Sequence, residues 1–425
     1  MNLYTRRKFL ALSGLGAAGV ATSLGTRLAF ATPNEPALGD AVVAIFLRGG
    51  ADGLTLAPPY GYPSYRQMRP NIAVPAPGSN GGALPLNSGS ASGAVFPTGI
   101  DGVVGLHPAF QPVYDTLWTQ GRLAVIPAAG LPRSESATRS HFSAQVFVNR
   151  GSASSTVRGG WLGRMLNGSL DSANPGLAGL STSNQTTSIA GGRNTANVPN
   201  INDFGLGPFD RTEETVAAVG VLNSGQDSVS SQGRNVLATI DALAVVDGDA
   251  NIDAYPNSSL GRQLNQVANL FKASIGLRAA AIDVGGWDTH ADQGTPGDTG
   301  SRMWRLIDNL ASSLRAFSDD TNGLDEITVV VVSEFGRTVN ENGNRGTDHG
   351  RGGTVFAMGG GVQGGVFGDD YPDAVADDPE DGDTTVATDY RKVVTEIAAK
   401  RMGVTDLDAL FPTYTHTNDL GLARA

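Results

Sequence analysis

The chain has 425 residues, enough for one large domain or two, and 41 acidic against 30 basic side chains leave it a formal charge of −11. Such an acidic balance argues against nucleic acid or an anionic membrane as partner, because either needs a basic footprint. The absence of cysteine excludes disulfides, thiolate nucleophiles and iron–sulfur clusters.

The first 31 residues read as an address. Thr5-Arg6-Arg7-Lys8-Phe9-Leu10 is a twin-arginine start, a Gly/Ala-rich apolar stretch follows, and Ala29-Phe30-Ala31 has the small-x-small form of a signal-peptidase site. The expectation is export by the twin-arginine translocase with cleavage after Ala31, and a periplasmic or secreted mature protein. The apolar stretch is too short and glycine-rich for an anchor, and no later segment reads as a membrane span. Removing this segment takes away four basic residues and no acid, so the mature chain keeps 26 basic and 41 acidic residues, a charge of −15.

In the mature chain, Ala41 to Leu47 is a continuous apolar run that suits a buried parallel strand, and it stops at Arg48-Gly49-Gly50-Ala51-Asp52-Gly53. Residues 55–105, rich in Pro, Gly, Ser and Asn, read as loop with short strands. Helical spacing returns at Phe110, Val113, Tyr114 and Leu117, and Leu123 to Ile126 reads as a second buried strand. His107, before Pro108, reads as a helix start. Ser140-His141 opens a stretch with helical character. Residues 180–235 lack a clear period and are open to three readings: an insertion, a cap over a site, or a β-rich edge.

The pattern then sharpens. Leu260, Leu264, Val267, Leu270, Phe271 and Ile275 mark an amphipathic helix, Arg278 to Val284 a strand, and Met303 to Phe317 another helix. Ile327 to Ser333 is the most apolar strand; Thr354 to Met358 reads as strand and Val393 to Met402 as a late helix. Such alternation predicts one α/β domain over 32–425, with a doubly wound, mostly parallel sheet and helices on both faces. The Asp-rich run from Asp369 to Asp383 reads as a solvated loop, with calcium binding as its alternative. His416 reads as an exposed tail residue.

Three of five histidines lie in short clusters with hydroxyls or carboxylates: Ser140-His141, Gly286-Trp287-Asp288-Thr289-His290 and Thr347-Asp348-His349-Gly350, with Glu334 at the tip of an apolar strand. Neutral imidazole and carboxylate are the usual ligands of zinc, manganese or iron. Ligands of such sheets collect where strands end, and these loops follow or precede strands. Candidate metal ligands are therefore Asp52, His141, Asp288, His290, Glu334, Asp348 and His349. Each has a plainer reading: Asp288 as a cap beside an exposed His290, Glu334 as the ion-pair partner of Arg337, Ser140 as an N-cap. Ser140 is the candidate nucleophile, and Arg337 and Arg351 are candidates to neutralise an anion.

In order, the twin-arginine start, FLRGGADGL, SHFSAQ, GGWDTH, SEFGRT and GTDHGRGG resemble the bacterial exported proteins grouped as domain-of-unknown-function family 1501, from about Asp40 to about Gly403. That family is placed in the alkaline-phosphatase-like, or sulfatase-like, superfamily. The resemblance implies a doubly wound sheet with a metal site used to hydrolyse or transfer phosphate or sulfate esters. By position, Asp52 resembles the first-strand metal Asp, Ser140 the nucleophile, Asp288 and His290 the pair serving one metal, and His349 the final metal histidine. Glu334 stands where relatives have Asp-His but is followed by Phe335. The resulting expectation is a metallohydrolase holding one or two divalent ions, zinc or manganese, with a small anionic ester as substrate. Its rival is a non-catalytic exported protein that kept the fold for binding or envelope assembly.

Overall fold

The computed structural model describes residues 40–97, 99–169, 177–182, 188–189, 191–192, 195–204, 213–225, 227, 230, 233, 236–237, 239–240, 243–368 and 382–424. The twin-arginine segment and 369–381, most of the Asp-rich run, lie outside these residues.

Among the described residues, eleven strands run in chain order: β1 (Ala41–Leu47), β2 (Leu84–Pro85), β3 (Gly105–Leu106), β4 (Leu123–Gly130), β5 (Gly179–Ser181), β6 (Thr195–Asn197), β7 (Ala279–Val284), β8 (Ile327–Ser333), β9 (Gly353–Met358), β10 (Gly365–Val366) and β11 (Thr388–Asp389). Nine of them form one sheet in the order β10-β4-β9-β8-β1-β7-β5-β6, with β11 also on β4; β2 and β3 pair separately. β1 lies at the centre, parallel to both β7 and β8.

Every residue of β1 is buried, which is why it reads as an unbroken apolar run rather than an alternation. The alternation is there, but both faces are covered. Val43, Ile45 and Leu47 join the core beneath α3 (Ser259–Lys272) and α4 (Arg302–Asp320) with Leu264, Val267, Ile307 and Leu314. Val42, Ala44 and Phe46 join the opposite core beneath α2 (Trp161–Ser169) and α5 (Tyr390–Arg401) with Leu162, Met165, Val393 and Ile397.

One strand breaks the parallel rule. β9 runs antiparallel to both β4 and β8. The chain leaving β8 therefore returns directly along its neighbour, and the start of β9 lies at the same sheet edge as the end of β8. Glu334 and His349 reach one edge for that reason. β4 runs longer than its apolar pattern suggests, because a register shift between Pro127 and Ala129 takes up the proline, with Ala128 at φ 50°. Parts of 180–235 supply β5 and β6, the far edge of the sheet.

His107 caps the short helix Pro108–Phe110: its Nδ1 accepts from the Ala109 N–H at 3.1 Å, and burial pushes its pKa down to about 3. His416 is only partly exposed and bonds Asp419 at 3.1 Å. Among the described residues, no helix is long and apolar enough to cross a membrane.

The C-terminal tail is pinned by one buried carboxylate. Glu396 on α5 accepts from the backbone N–H groups of Leu420 at 2.8 Å, Gly421 at 3.1 Å and Ala423 at 2.9 Å. Removing it leaves donors without an acceptor, each costing about 1–3 kcal/mol. Glu396→Ala should therefore release residues 420–424, read as new protease cleavage near the C-terminus of an otherwise folded protein; an unchanged digestion pattern would refute the assignment.

Candidate metal centre

Three loops and one helix start build the site. The loop after β1 turns at Gly49 and Gly50, both at positive φ. Only glycine fits at Gly49, because a Cβ there would lie 2.4 Å from the Asp288 backbone nitrogen. The loop after β7 is anchored by Trp287, which is fully buried, so Asp288 beside it is fixed at the sheet edge. The β8–β9 loop brings Glu334, Arg337, Asp348 and His349. Helix α1 (His141–Arg150) begins with Ser140 as N-cap and delivers His141 in its first turn.

Four side chains converge. Asp288 Oδ1 lies 3.1 Å from His290 Nε2 and 3.4 Å from His349 Nε2, and these two nitrogens are 2.9 Å apart. Asp288 Oδ2 lies 3.6 Å from His141 Nε2. One ligand atom each from His141, Asp288 and His349 lie within 4.8 Å of one another.

The second nitrogen of every imidazole is engaged. His141 Nδ1 is 2.8 Å from Glu334 Oε1, His290 Nδ1 is 3.1 Å from Asp348 Oδ1, and His349 Nδ1 is 2.8 Å from the Arg139 carbonyl oxygen. All three partners are acceptors, so this network assigns the proton of each ring to Nδ1 and leaves each Nε2 a bare lone pair. Bare nitrogens at 2.9 Å repel unless a cation sits among them. His141 Nε2 is buried without a hydrogen-bond partner. Tetrahedral zinc at about 2.0–2.1 Å from nitrogen sets its ligands about 3.3 Å apart, close to the spacing here. An imidazole whose far N–H is held by a carboxylate or carbonyl is the usual arrangement behind a metal. His141, Asp288 and His349 therefore fit a divalent ion, with His290 beside Asp288 and His349 as a further nitrogen. Asp288 and His290 keep more than two-fifths of their side-chain surface exposed, so the centre opens to solvent.

Burial pushes the Asp288 carboxyl up, but the Arg337 guanidinium and nearby imidazoles more than offset it and hold it below the usual carboxylate value. Glu334 behaves likewise: burial raises it, and donors from Gln145, His141 and Gly49 N–H bring it lower. In Asp348 the Asn342 amide and His290 outweigh burial. Burial lowers His349, which favours the neutral ring that a metal requires.

Several candidates have other work. Asp52, expected as a ligand, is fully buried and paired with Arg69 Nη1 at 2.7 Å; it also accepts from Thr55 Oγ1 and Gln293 Nε2. The loop carries it several residues past the strand tip, inside the protein. Gln293 in turn accepts from Thr289 Oγ1 at 3.1 Å, so Asp52 steadies the Asp288–His290 loop from beneath. Glu334 and Asp348 stand behind His141 and His290, on the Nδ1 side of each ring.

Arg337, expected to neutralise an anion, has its guanidinium occupied by protein groups. It is buried and donates to the carbonyls of Gly49, Gly50 and Thr347 and, at 2.6 Å, to Asp288 Oδ1. It thus locks three loops together, and its ion-pair partner is Asp288, not Glu334. Ser140 is exposed, and its side chain makes no cap bond. Arg351 lies beside Asp383, with Nε 3.3 Å from Oδ2. Asp383, expected in a solvated loop, is buried and also receives Arg139 at 2.5 Å.

Sequence reasoning missed Gln145, Arg139, Asn342 and Gln293. Only Gln145 carried a signal, lying four residues after His141 on the same helix face and bonding Glu334 at 3.0 Å. Glu334→Gln should weaken divalent-metal affinity by roughly 10–100-fold, because the His141 ring loses its anionic anchor. Competition with a chromophoric chelator measures this, and unchanged affinity would remove Glu334 from its supporting role.

Residues 128–410 match the family described as "Protein of unknown function (DUF1501)". The chain belongs to that family. All four convergent side chains lie within the matched residues. No curated protein matches the sequence. Similar solved structures include the lipoteichoic acid synthase LtaP from Listeria monocytogenes, at 10% identity and TM-score 0.28, covering 85% of this chain and 74% of that one. Another is alkaline phosphatase from the Antarctic bacterium TAB5, at 11% identity and TM-score 0.29, covering 77% and 94%. A third is a protein in the alkaline phosphatase superfamily from Vibrio parahaemolyticus, at 10% identity and TM-score 0.28, covering 86% and 71%.

Proposed function

We propose that this DUF1501 chain is exported by the twin-arginine pathway, loses residues 1–31, and acts outside the cytoplasm as a metal-dependent hydrolase of a phosphate or sulfate ester. The observation that carries the reading is the set of three imidazoles, each with Nδ1 occupied and Nε2 turned toward Asp288. His141, Asp288, His290 and His349 would hold one ion, zinc or manganese; Asp52 is not available to a second. When bound, a divalent ion polarises an ester oxygen and lowers the pKa of a nucleophile or water.

The chain's own groups do the rest. Glu334, Asp348 and the Arg139 carbonyl orient the rings, and Arg337 keeps Asp288 ionised and fixed. Ser140, one residue before His141, supplies a hydroxyl that attacks or orients a water. Arg351 stands on the flank of the site as the group that meets the anion. The mature chain is assayed for bound metal, then for hydrolysis of aryl phosphates and aryl sulfates. Stoichiometric metal with turnover of either ester supports the reading; a metal-free chain of unchanged stability, inert toward both, favours the non-catalytic binding role.

A further inference from the structure

Phe335 is a buried phenylalanine that joins neither of the two apolar cores. It packs on the metal centre instead. Its ring centroid lies 5.0 Å from that of His141 and 4.8 Å from that of His349, with the planes tilted by 34° and 42°. The two imidazoles are themselves 4.3 Å apart at 76°, so the three rings close a triangle. These are the separations of aromatic rings in contact.

The loop after β1 holds the phenyl ring from another side. Gly50 stands there at φ 66°, and a Cβ on it would lie 2.4 Å from Phe335 Cε2 and 2.6 Å from Cδ2. The Gly50 carbonyl accepts from Arg337 Nε at 2.6 Å, and Arg337 also reaches Asp288. The ring is therefore wedged between the backbone of one site loop and two imidazoles carried by other segments.

Each of those imidazoles is anchored at Nδ1 by one hydrogen bond. Such a bond fixes where Nδ1 points but leaves the ring free to rock about it. A flat neighbour removes that freedom, and the position of each Nε2 follows. His290 is held less: it rests on His349 at 4.6 Å and keeps 43% of its side-chain surface exposed.

Resting on the metal-binding part of the proposed function, we infer that Phe335 is a positioning residue: it holds His141 and His349 at the spacing of a compact four-coordinate ion and so favours zinc over manganese. Zinc takes four ligands, with nitrogen at about 2.0–2.1 Å, whereas manganese suits six ligands and oxygen donors. Two nitrogens that cannot spread penalise the ion of higher coordination number.

The test uses the mature chain with zinc, manganese and cobalt(II) as probes. Chelator competition should show Phe335→Leu losing roughly tenfold in zinc affinity, the low end for groups standing behind metal ligands, and less in manganese affinity. Leucine keeps the apolar bulk and loses the flat face. Cobalt(II) reads the geometry directly, since a four-coordinate ion absorbs visible light far more strongly than a six-coordinate one. The wild type should show the strong band, Phe335→Leu a weak one, and Phe335→Tyr, which keeps the ring, the strong band again. If Phe335→Leu does not fold, Gly50→Ala carries the test: its methyl presses on the phenyl from the loop and should lower the zinc-to-manganese affinity ratio in the same direction. A folded Leu variant with the wild-type ratio and cobalt spectrum, or a folded Gly50→Ala variant with the wild-type ratio, would overturn the inference and leave the metal reading standing. Equal losses of zinc and manganese would overturn it too, as the mark of packing alone. A wild type that binds none of the three ions would sink the metal reading itself.

Discussion

Asp288→Asn should lower zinc or manganese affinity by at least roughly 100-fold, the upper end of what is seen even for residues standing behind metal ligands. Asp288 meets all three histidines, with Oδ1 serving His290 and His349 and Oδ2 facing His141. An amide keeps the shape but loses the charge, and its NH2 can point at a nitrogen lone pair only if the ring changes tautomer. Hydrolytic activity should fall with the metal. The measurement is competition against a chelator, with circular dichroism as a check on folding, because Arg337 retains its bonds to the Gly49, Gly50 and Thr347 carbonyls. Affinity within a factor of two of wild type would remove Asp288 from the centre.

The second large effect is on stability. Asp52 and Arg69 are both fully buried, and Arg69 also donates to the Val339 and Thr338 carbonyls at 2.7 Å. Removing one partner strands the other, at a cost of about 3–5 kcal/mol. Arg69→Met should therefore shift the urea midpoint strongly downward, and the double variant Asp52→Leu/Arg69→Met should recover part of the loss. A double variant no more stable than the single one would refute the pairing as the cause.

The pH dependence has a definite sign. Burial raises the Asp52 carboxyl, but Arg69 and its hydrogen-bond donors more than offset this, so its folded pKa is depressed. The associated stabilisation is fully present above the unfolded value, about 3.9, and is lost as pH falls through the folded pKa. Asp52→Asn should flatten that part of the acid limb.

The sheet was largely legible in the chain because its central strands are buried on both faces. Ala41–Leu47 is apolar throughout, and Ile327–Ser333 is apolar but for Thr328 and Ser333. The histidine clusters were legible because imidazole is scarce and sat beside carboxylates. The direction of β9 was not, since a six-residue apolar run reads the same both ways. That direction is what returns His349 to the edge where β8 delivers Glu334.

Residue types and spacing determined which groups are available for chemistry here, because neutral imidazoles and carboxylates are what bind divalent ions. Tertiary structure alone decided which of them converge on the candidate metal site. Asp52, Glu334 and Asp348 are the same kind of acid as Asp288, yet one is matched by Arg69 and two stand behind imidazole rings. Those roles depend on partners 17, 193 and 58 residues away, and such distant pairings become visible only once the loops are folded together.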